Sequence, residues 1–427
     1  MGFEDRYGNA ITCATSQAQD HYIAGVDHLL SSTYGGVEAF EAAVTADPQF
    51  ALGFVGLARA NMVAGDMAAA RQAIGTAVSL NGTVSDRERD HMGITQALIS
   101  GDALQARELT EAHVLIYPRD ALIAQLCTSV FGLIAFSGCD ATEAQMFGYT
   151  SWLAPHYGED WWMMAVHAVS ICEVGQPQKA LELMERSLAL NPRNANASHF
   201  KAHCLYETGE TQQGLAYLTD WMTGYDRRSV IYGHLSWHKA LWALSEGDTA
   251  TMWEIFDAEI SPKNASGLPI NILTDSASLL YRADLAGHHV SAERWKELSA
   301  YAADRFAQPG QSFVDMHSAL CHAMAGETDA LERYLSAPKG FAGDLVAPVA
   351  KAWARIVRHD WPGALEHLTP VMTQHARFGG SRAQRDMLEL TYLNVLLRLG
   401  KRDEARRAAS TRRALFMQNA PLAMDLG

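Results

Sequence analysis

Two pairs of histidines have the residue type and the spacing that metal chemistry requires. His199 and His203 are four residues apart, and so are His234 and His238. Residues four apart on a helix share one face, and four neutral imidazoles form a ligand set that zinc-like divalent metals accept. The two pairs together predict a candidate metal site, although a single pair of this kind is more often structural.

Further side chains that could bind or catalyse follow the second histidine pair. Asp275 and Arg282 are seven residues apart, on one helix face, where they could also form an ion pair with each other. For catalysis the candidates are His238, Asp275 and His317, with a His238–Asp275 pair as a general base. The predicted ligand-binding set is His203, His234, Trp237, His238, Asp275, Arg282, Asp315, His317, Gln384, Arg385 and Asp386.

The elements that must position these residues are marked by regularly spaced glycines. They recur every 34 to 40 residues from Gly65 to Gly326, each after an apolar-periodic segment: Gly65, Gly101, Gly138, Gly175, Gly209, Gly247, Gly287 and Gly326. Gly400 follows two periods later, with His359 in the intervening turn position. A small residue, such as Ala70 or Gly214, often follows five positions after the turn glycine. This pattern predicts helical hairpins, in which glycine ends one helix and a small residue admits the next.

The period is that of the tetratricopeptide repeat. The sequence therefore predicts an all-α solenoid, a right-handed superhelix of about ten hairpins. We expect residues 1–34 to form an N-terminal helical cap and residues 35–427 to form one continuous solenoid. First helices of such hairpins line the concave face, so the polar candidates should converge on one inner surface.

Composition excludes several functional classes. The net charge of −14 disfavours a nucleic-acid partner, which requires a basic surface. The most apolar stretch, Ala121 to Phe136, is shorter than a membrane span, and the N-terminus lacks a signal-peptide pattern. Six cysteines without a C-x-x-C pair indicate reduced thiols and a cytoplasmic protein. The common nucleophile, phosphate-loop and zinc-protease motifs are absent from the sequence.

Four segments resemble those of the tetratricopeptide repeat protein 38 family, which occurs in bacteria and animals. They are HFKAH (199–203), HLSWHKAL (234–241), LTDSASLLYR (273–282) and GGSRAQRD (379–386). The resemblance covers nearly the whole chain and implies a bacterial member with this solenoid fold and this site, but no particular reaction. Leu235 replaces the asparagine usual in the family, and CLYETGE (204–210) lacks a usual glutamate–methionine pair, so the ligand could differ.

Three functional hypotheses follow from these residues. The first is a binding protein whose inner His/Asp/Arg-rich surface holds a small polar metabolite or a peptide, with Arg282 and Arg385 suited to a carboxylate or phosphate. The second is an enzyme that uses the same cluster for acid–base or metal-assisted chemistry, with a divalent metal on the four histidines. The third treats the cluster as a polar core that fixes helix register. No covalent cofactor is indicated, and association into homo-oligomers stays open.

Overall fold

The fold is described from a computed structural model that covers residues 2–80, 82, 84–336, 339–412 and 422–424, with backbone alone at 411 and 412. Its N-terminal half contains a pair of two-residue antiparallel strands, β1 (Phe3–Glu4) and β2 (Ala10–Ile11), in which Phe3 lies opposite Ile11. Twelve helices follow: α1 (Ser16–Ser31), α2 (Gly36–Ala46), α3 (Ala51–Val63), α4 (Met67–Ser79), α5 (Asp86–Ser100), α6 (Ala103–Ile116), α7 (Ala121–Ala124), α8 (Thr142–Tyr157), α9 (Trp161–Glu173), α10 (Pro177–Leu190), α11 (Ala195–Thr208) and α12 (Thr211–Trp221).

The C-terminal half continues the helical series to Arg412. Its helices are α13 (Tyr232–Ser245), α14 (Thr249–Ile255), α15 (Pro269–Leu285), α16 (Ala292–Arg305), α17 (Ser312–Ala325), α18 (Thr328–Ser336), α19 (Gly343–Ile356), α20 (Trp361–Met372), α21 (Arg382–Arg398) and α22 (Arg402–Arg412). One π-helical turn, Phe256–Ile260, extends α14. The predicted all-α solenoid of helical repeats is confirmed.

The turns between paired helices have the conformation that the sequence predicts. All nine turn glycines, from Gly65 to Gly400, have positive φ. In the missing position His359 also has a positive φ, 56°, which few non-glycine residues adopt. After the turn, an N-cap carboxylate often begins the second helix: Asp66 accepts hydrogen bonds from the N–H groups of Ala68 and Ala69. The glycine spacing therefore marks real helix ends.

Close helix packing explains the small residues after the turns, although at Gly214 the close neighbour is on the next hairpin and not on the paired helix α11. A Cβ added at Gly214 on α12 would lie 2.4 Å from the Trp242 ring on α13. Ala70, Ala180 and Ala364 have no exposed surface at the equivalent positions. Larger side chains there would force the helices apart.

The segment before Gly138 does not form the long helix of a regular hairpin. The four-residue helix α7 passes into a 3₁₀ turn, Gln125–Cys127, and a second 3₁₀ turn spans Ala135–Ser137. Between them the chain folds back, with the N–H of Leu133 donating to the carbonyl of Leu126 at 2.7 Å. Phe131 and Phe136 then pack on Phe313 of α17. This irregular segment thus bridges distant repeats across the inside of the superhelix.

The inner face of the superhelix, where the sequence places the polar candidates, is largely buried. Helix α21 packs against both α11 and α15, and α1 packs against α11. The Arg282 guanidinium donates to the carbonyl of Ala383, and the Tyr206 hydroxyl donates to Asp386 at 2.9 Å. These contacts join the fifth, seventh and last repeats, so the polar residues lie in an interior. Among the described helices, none is both long and apolar enough to cross a membrane.

Candidate metal centre and the cavity beside it

The four histidines predicted as metal ligands meet in one cluster. Each offers a ring nitrogen, and these four atoms all lie within 4.8 Å of one another. All four residues are buried. The Nε2 atoms of His199 and His203 are 2.8 Å apart. A tetrahedral zinc site, with Zn–N bonds of about 2.0–2.1 Å, needs nitrogens roughly 3.3 Å apart, so small side-chain movements would suffice.

The cluster forms because α11 and α13 align their histidine pairs in register. Both helices belong to the predicted first-helix set, and α12 lies between them in the chain. The His199 ring lies 4.6 Å from that of His234, and the His203 ring lies 4.7 Å from that of His238. The i, i+4 spacing puts each pair on one face, and packing of the two repeats sets the pairs side by side.

Asp275 of α15 orients one of the four ligands. Its Oδ2 accepts a hydrogen bond from Nδ1 of His234 at 2.7 Å, and both side chains are buried. This bond directs the proton to Nδ1 and leaves the lone pair of Nε2 for a metal, as in carboxylate–histidine–metal triads. The predicted His238–Asp275 pair is wrong: within the described residues, neither ring nitrogen of His238 has a hydrogen-bond partner. Asp275 reaches the histidine one turn earlier on α13.

Burial keeps three of the four imidazoles, those of His199, His203 and His238, in the neutral form. Removal from water, together with the neighbouring histidines, holds the pKa of His199 and of His238 well below its usual range. For His203, burial and then His234 lower the pKa to about 3. Neutral imidazole is the form that binds metals. At neutral pH these three side chains therefore present lone pairs rather than positive charges.

Trp237 and Arg282 surround the cluster and have other partners. The Trp237 ring stacks on the His234 ring, with 5.2 Å between the ring centroids. The Arg282 guanidinium lies 5.7 Å from the centroid of the Trp237 ring. Arg282 also donates to Ser278 at 3.2 Å and to the Tyr206 hydroxyl at 3.0 Å. No ion pair forms between Arg282 and Asp275, since Asp275 turns towards His234. Arg282 instead connects α15 to α11 and α21.

Asp315 and His317, both on α17, lie outside the four-histidine group. Nδ1 of His317 donates to the carbonyl of Phe313 at 2.7 Å. Burial lowers the pKa of His317 to about 4 against the effect of that hydrogen bond. Asp315 accepts from the N–H of Gly310 at 2.9 Å, and burial raises its pKa to about 7. Neither side chain contributes to the metal-ligating set that the described residues form.

The three candidates on α21 stabilise the start of that helix and its packing. Gln384 forms a capping box with Ser381. Arg385 donates to the carbonyl of Gly380 and to Glu143 of α8, and lies 3.8 Å from Glu173. Asp386 accepts from Tyr206. Arg385 already has two carboxylates, so it offers little charge to a further anion.

A cavity of about 900 Å³ lies beside the cluster, and His199 and His234 are part of its wall. The irregular segment 125–139 supplies much of the lining, together with residues of α3, α6 and α9. Most of the wall is aliphatic or aromatic, and its polar side chains include Arg59, Gln125, Asn271 and Gln384. The sequence analysis missed this cavity, because an apolar segment next to a turn glycine has the pattern of an ordinary core helix.

A second buried polar cluster was also missed. Oδ2 of Asp120 accepts hydrogen bonds from Arg87 at 2.7 Å, His91 at 3.2 Å and His113 at 3.1 Å. Burial alone raises the pKa of Asp120, but these three partners hold it well below its usual range. The only sequence signal is an aspartate after a proline at a repeat boundary, which indicates a helix start rather than a partner set.

Two segments of the chain match models of the tetratricopeptide repeat: residues 35–80 match one, and residues 173–222 match another. The second segment contains the first histidine pair. The chain thus contains tetratricopeptide repeats, as the glycine spacing predicted.

Solved structures with similar folds have low sequence identity to this chain. Yeast Tom70 is 16% identical over 95% of this chain and 84% of its own, with a TM-score of 0.38. Human IFIT1, as a dimer with PPP-AAAA, is 11% identical over 98% and 94%, with a TM-score of 0.44. The P58(IPK) TPR domain is 14% identical over 92% and 98%, with a TM-score of 0.21. At these identities and scores they say nothing about the function of this chain.

Proposed function

We propose that this protein binds a divalent metal ion through His199, His203, His234 and His238, and holds a small molecule in the adjoining cavity. One observation carries the proposal: four buried histidines bring a ring nitrogen each within 4.8 Å of one another. Imidazole nitrogens suit zinc and neighbouring first-row metals.

The environment of the cluster supports a metal over a self-sufficient polar core. A polar core has its hydrogen-bonding groups paired, yet both ring nitrogens of His238 are buried without a partner in the described chain. An unpaired buried polar group costs about 1–3 kcal/mol. A metal ion would use the lone pair of one of these nitrogens, and Asp275 would hold His234 in the required tautomer.

We propose a small molecule in the cavity in place of a ligand that lies along the groove of the superhelix. The predicted inner surface is buried, whereas the cavity is large enough for an organic ligand, since such pockets commonly measure about 300–1,000 Å³. Tetratricopeptide solenoids also bind peptides on their concave surfaces. Because the inner surface is buried here, an extended peptide partner would have to use another surface. Homo-oligomerisation stays a prediction.

The resemblance to the tetratricopeptide repeat protein 38 family fits the same site. All four motifs contribute to the interior: two supply the histidines, LTDSASLLYR supplies Asp275 and Arg282, and GGSRAQRD supplies the end of α21 that contacts Arg282. We include membership of this family, as a bacterial and cytoplasmic member, in the proposal.

Elemental analysis of untagged full-length protein tests the metal centre. We expect about one metal ion per chain, lost in the His203→Ala/His238→Ala double variant. His322→Ala is the matched control, because His322 is also buried on an inner helix but bonds to Ser299. No metal in the unmodified protein, even after incubation with zinc and dialysis, would contradict the proposal. Equal loss in the control would show a general effect of losing a buried histidine.

An enzyme is the second candidate function, and the position of the cluster at the cavity favours it. Because His199 and His234 are part of the wall, a cavity ligand could approach a metal held there. The metal would then act as a Lewis acid or activate water. The test compares turnover of candidate esters or amides by metal-loaded and chelated protein. A loaded protein that binds cavity ligands without converting any of them would favour binding alone.

A further inference from the structure

Arg59 is a buried cation for which the described residues supply no counter-ion. It lies on α3 in the wall of the cavity and is only 5% exposed. Its Nη2 reaches Oε1 of Gln125 at 3.4 Å, and its Nε has no partner. Within the described residues, no carboxylate lies within ion-pair distance of it.

The other buried arginines of this protein are satisfied differently. Arg87 pairs with Asp120 at 2.7 Å, and Arg385 pairs with Glu143. Arg282 has a carbonyl and two hydroxyls. A guanidinium taken out of water without such partners is expensive, and burial alone lowers the pKa of Arg59 to about 10. A bound anionic ligand would supply the missing counter-charge and offset this destabilising arrangement.

The cavity around Arg59 specifies the rest of such a ligand. Its walls include Leu126, Phe131, Phe136 and Val166, so most of the bound molecule must be apolar. The Gln125 amide is fixed by its bond to the carbonyl of Leu29 at 3.2 Å, which keeps its oxygen towards Arg59. A guanidinium presents parallel donors that match a carboxylate.

Among the described residues of the wall, Arg59 is the one cation that is both deeply buried and without a counter-ion. Arg377 is held by Asp344 at 2.8 Å and by the carbonyl of Gly138. Arg107 also has a buried Nε without a partner among the described residues, but the residue as a whole is only half-buried and it donates to Cys139 Sγ at 3.8 Å, so water can reach part of its guanidinium. One compensating charge suits a monoanionic carboxylate.

We propose that the cavity binds an organic carboxylate with an apolar aliphatic or aromatic body, and that Arg59 receives its carboxylate. This names the ligand class for the cavity of the proposed function, and it does not depend on the metal.

Calorimetric titration of the full chain with dodecanoate and with naphthoate tests the proposal, with dodecanol and naphthalenemethanol as uncharged counterparts. We expect at least one carboxylate to bind, and its alcohol to bind roughly ten- to hundredfold more weakly. Arg59→Gln should weaken carboxylate binding by a similar factor. Arg377→Gln, which removes the same charge from the same wall, should change it little.

A fold control accompanies these titrations. Without ligand, Arg59→Gln should melt at or above the temperature of the unmodified protein, because it removes an unpaired buried charge. If that variant fails to fold, Arg59→Lys keeps the charge without the planar fork and should bind the carboxylate with intermediate affinity. Equal affinity in Arg59→Lys and the unmodified protein would contradict bidentate recognition by Arg59.

Other outcomes also overturn the proposal: no binding of either carboxylate, equal binding of acid and alcohol, or unchanged affinity in Arg59→Gln. Titrations are repeated after chelation and in the His203→Ala/His238→Ala variant. Carboxylate binding that persists there supports the cavity proposal even if the metal proposal fails. A protein that holds the metal but binds neither carboxylate would contradict the cavity proposal and leave the metal proposal standing.

Discussion

Nδ1 of His234 donates to Oδ2 of Asp275 across 2.7 Å, and this bond connects the candidate metal centre to the next repeat. The two residues are 41 positions apart, on α13 and α15. The carboxylate is therefore available to the cluster only because successive repeats pack in register.

Asp275→Asn should weaken metal binding by about 10- to 100-fold, because the amide lacks the charge that makes His234 a stronger ligand. Competition of the protein with a chromophoric chelator measures the affinity. Asp315→Asn is the matched control, since Asp315 is buried on the neighbouring α17 but bonds to Gly310. An unchanged affinity in Asp275→Asn would remove Asp275 from the site.

Asp120→Asn should lower the free energy of unfolding by about 3–5 kcal/mol, because Arg87 would stay buried without its counter-charge. Asp86→Asn is the control on the same helix as Arg87, and it removes an exposed ion pair with Arg89. It should change the free energy of unfolding by less than about 1 kcal/mol. Urea unfolding followed by circular dichroism measures both. Similar values for the two variants would show that Asp120 is not a buried anchor.

Asp315→Asn should change the pH dependence of stability. The folded pKa of about 7 lies above the unfolded value of 3.8, so between these pH values the folded protein binds the extra proton. Asp315 thus contributes stability below pH 3.8 that is lost as pH rises to about 7, at up to about 1.4 kcal/mol per pH unit. Unfolding curves from pH 5 to 8 should show that the free energy of unfolding of Asp315→Asn rises relative to that of the unmodified protein as the pH increases. Parallel pH profiles would contradict the shifted pKa.

Gly214→Ala should destabilise the protein by about 1–3 kcal/mol, because its Cβ would overlap the buried Trp242 ring. Gly75→Ala is the matched control: it lies in the interior of α4 with open space around its Cβ position. There the change should raise stability by up to about 1 kcal/mol, through helix propensity. Thermal melts compare the two. A stabilising Gly214→Ala would show that the α12–α13 contact is loose.

Local patterns predicted the repeats and the histidine pairs well, for a simple reason. A turn glycine and a helix face depend on residues within a few positions, so Gly65, Gly209 and even His359 could be placed from spacing alone. Partners across repeats were less predictable. Asp275 was placed beside the right group of histidines but paired with His238, because a shift of one turn on α13 leaves no trace in the sequence of α15.

The sequence by itself determined the all-α repeat architecture and the identity of the four candidate ligands, since both follow from short-range helical periodicity. Only the tertiary structure decided that the inner surface is buried, that segment 125–139 forms a cavity wall instead of a helix, and that Arg59 has no counter-ion in the described part of the chain. Those features depend on how α1, α11, α15 and α21 meet across the superhelix. Contacts between residues hundreds of positions apart, such as Arg382 with Glu173, arise from accumulated packing angles that no local pattern encodes.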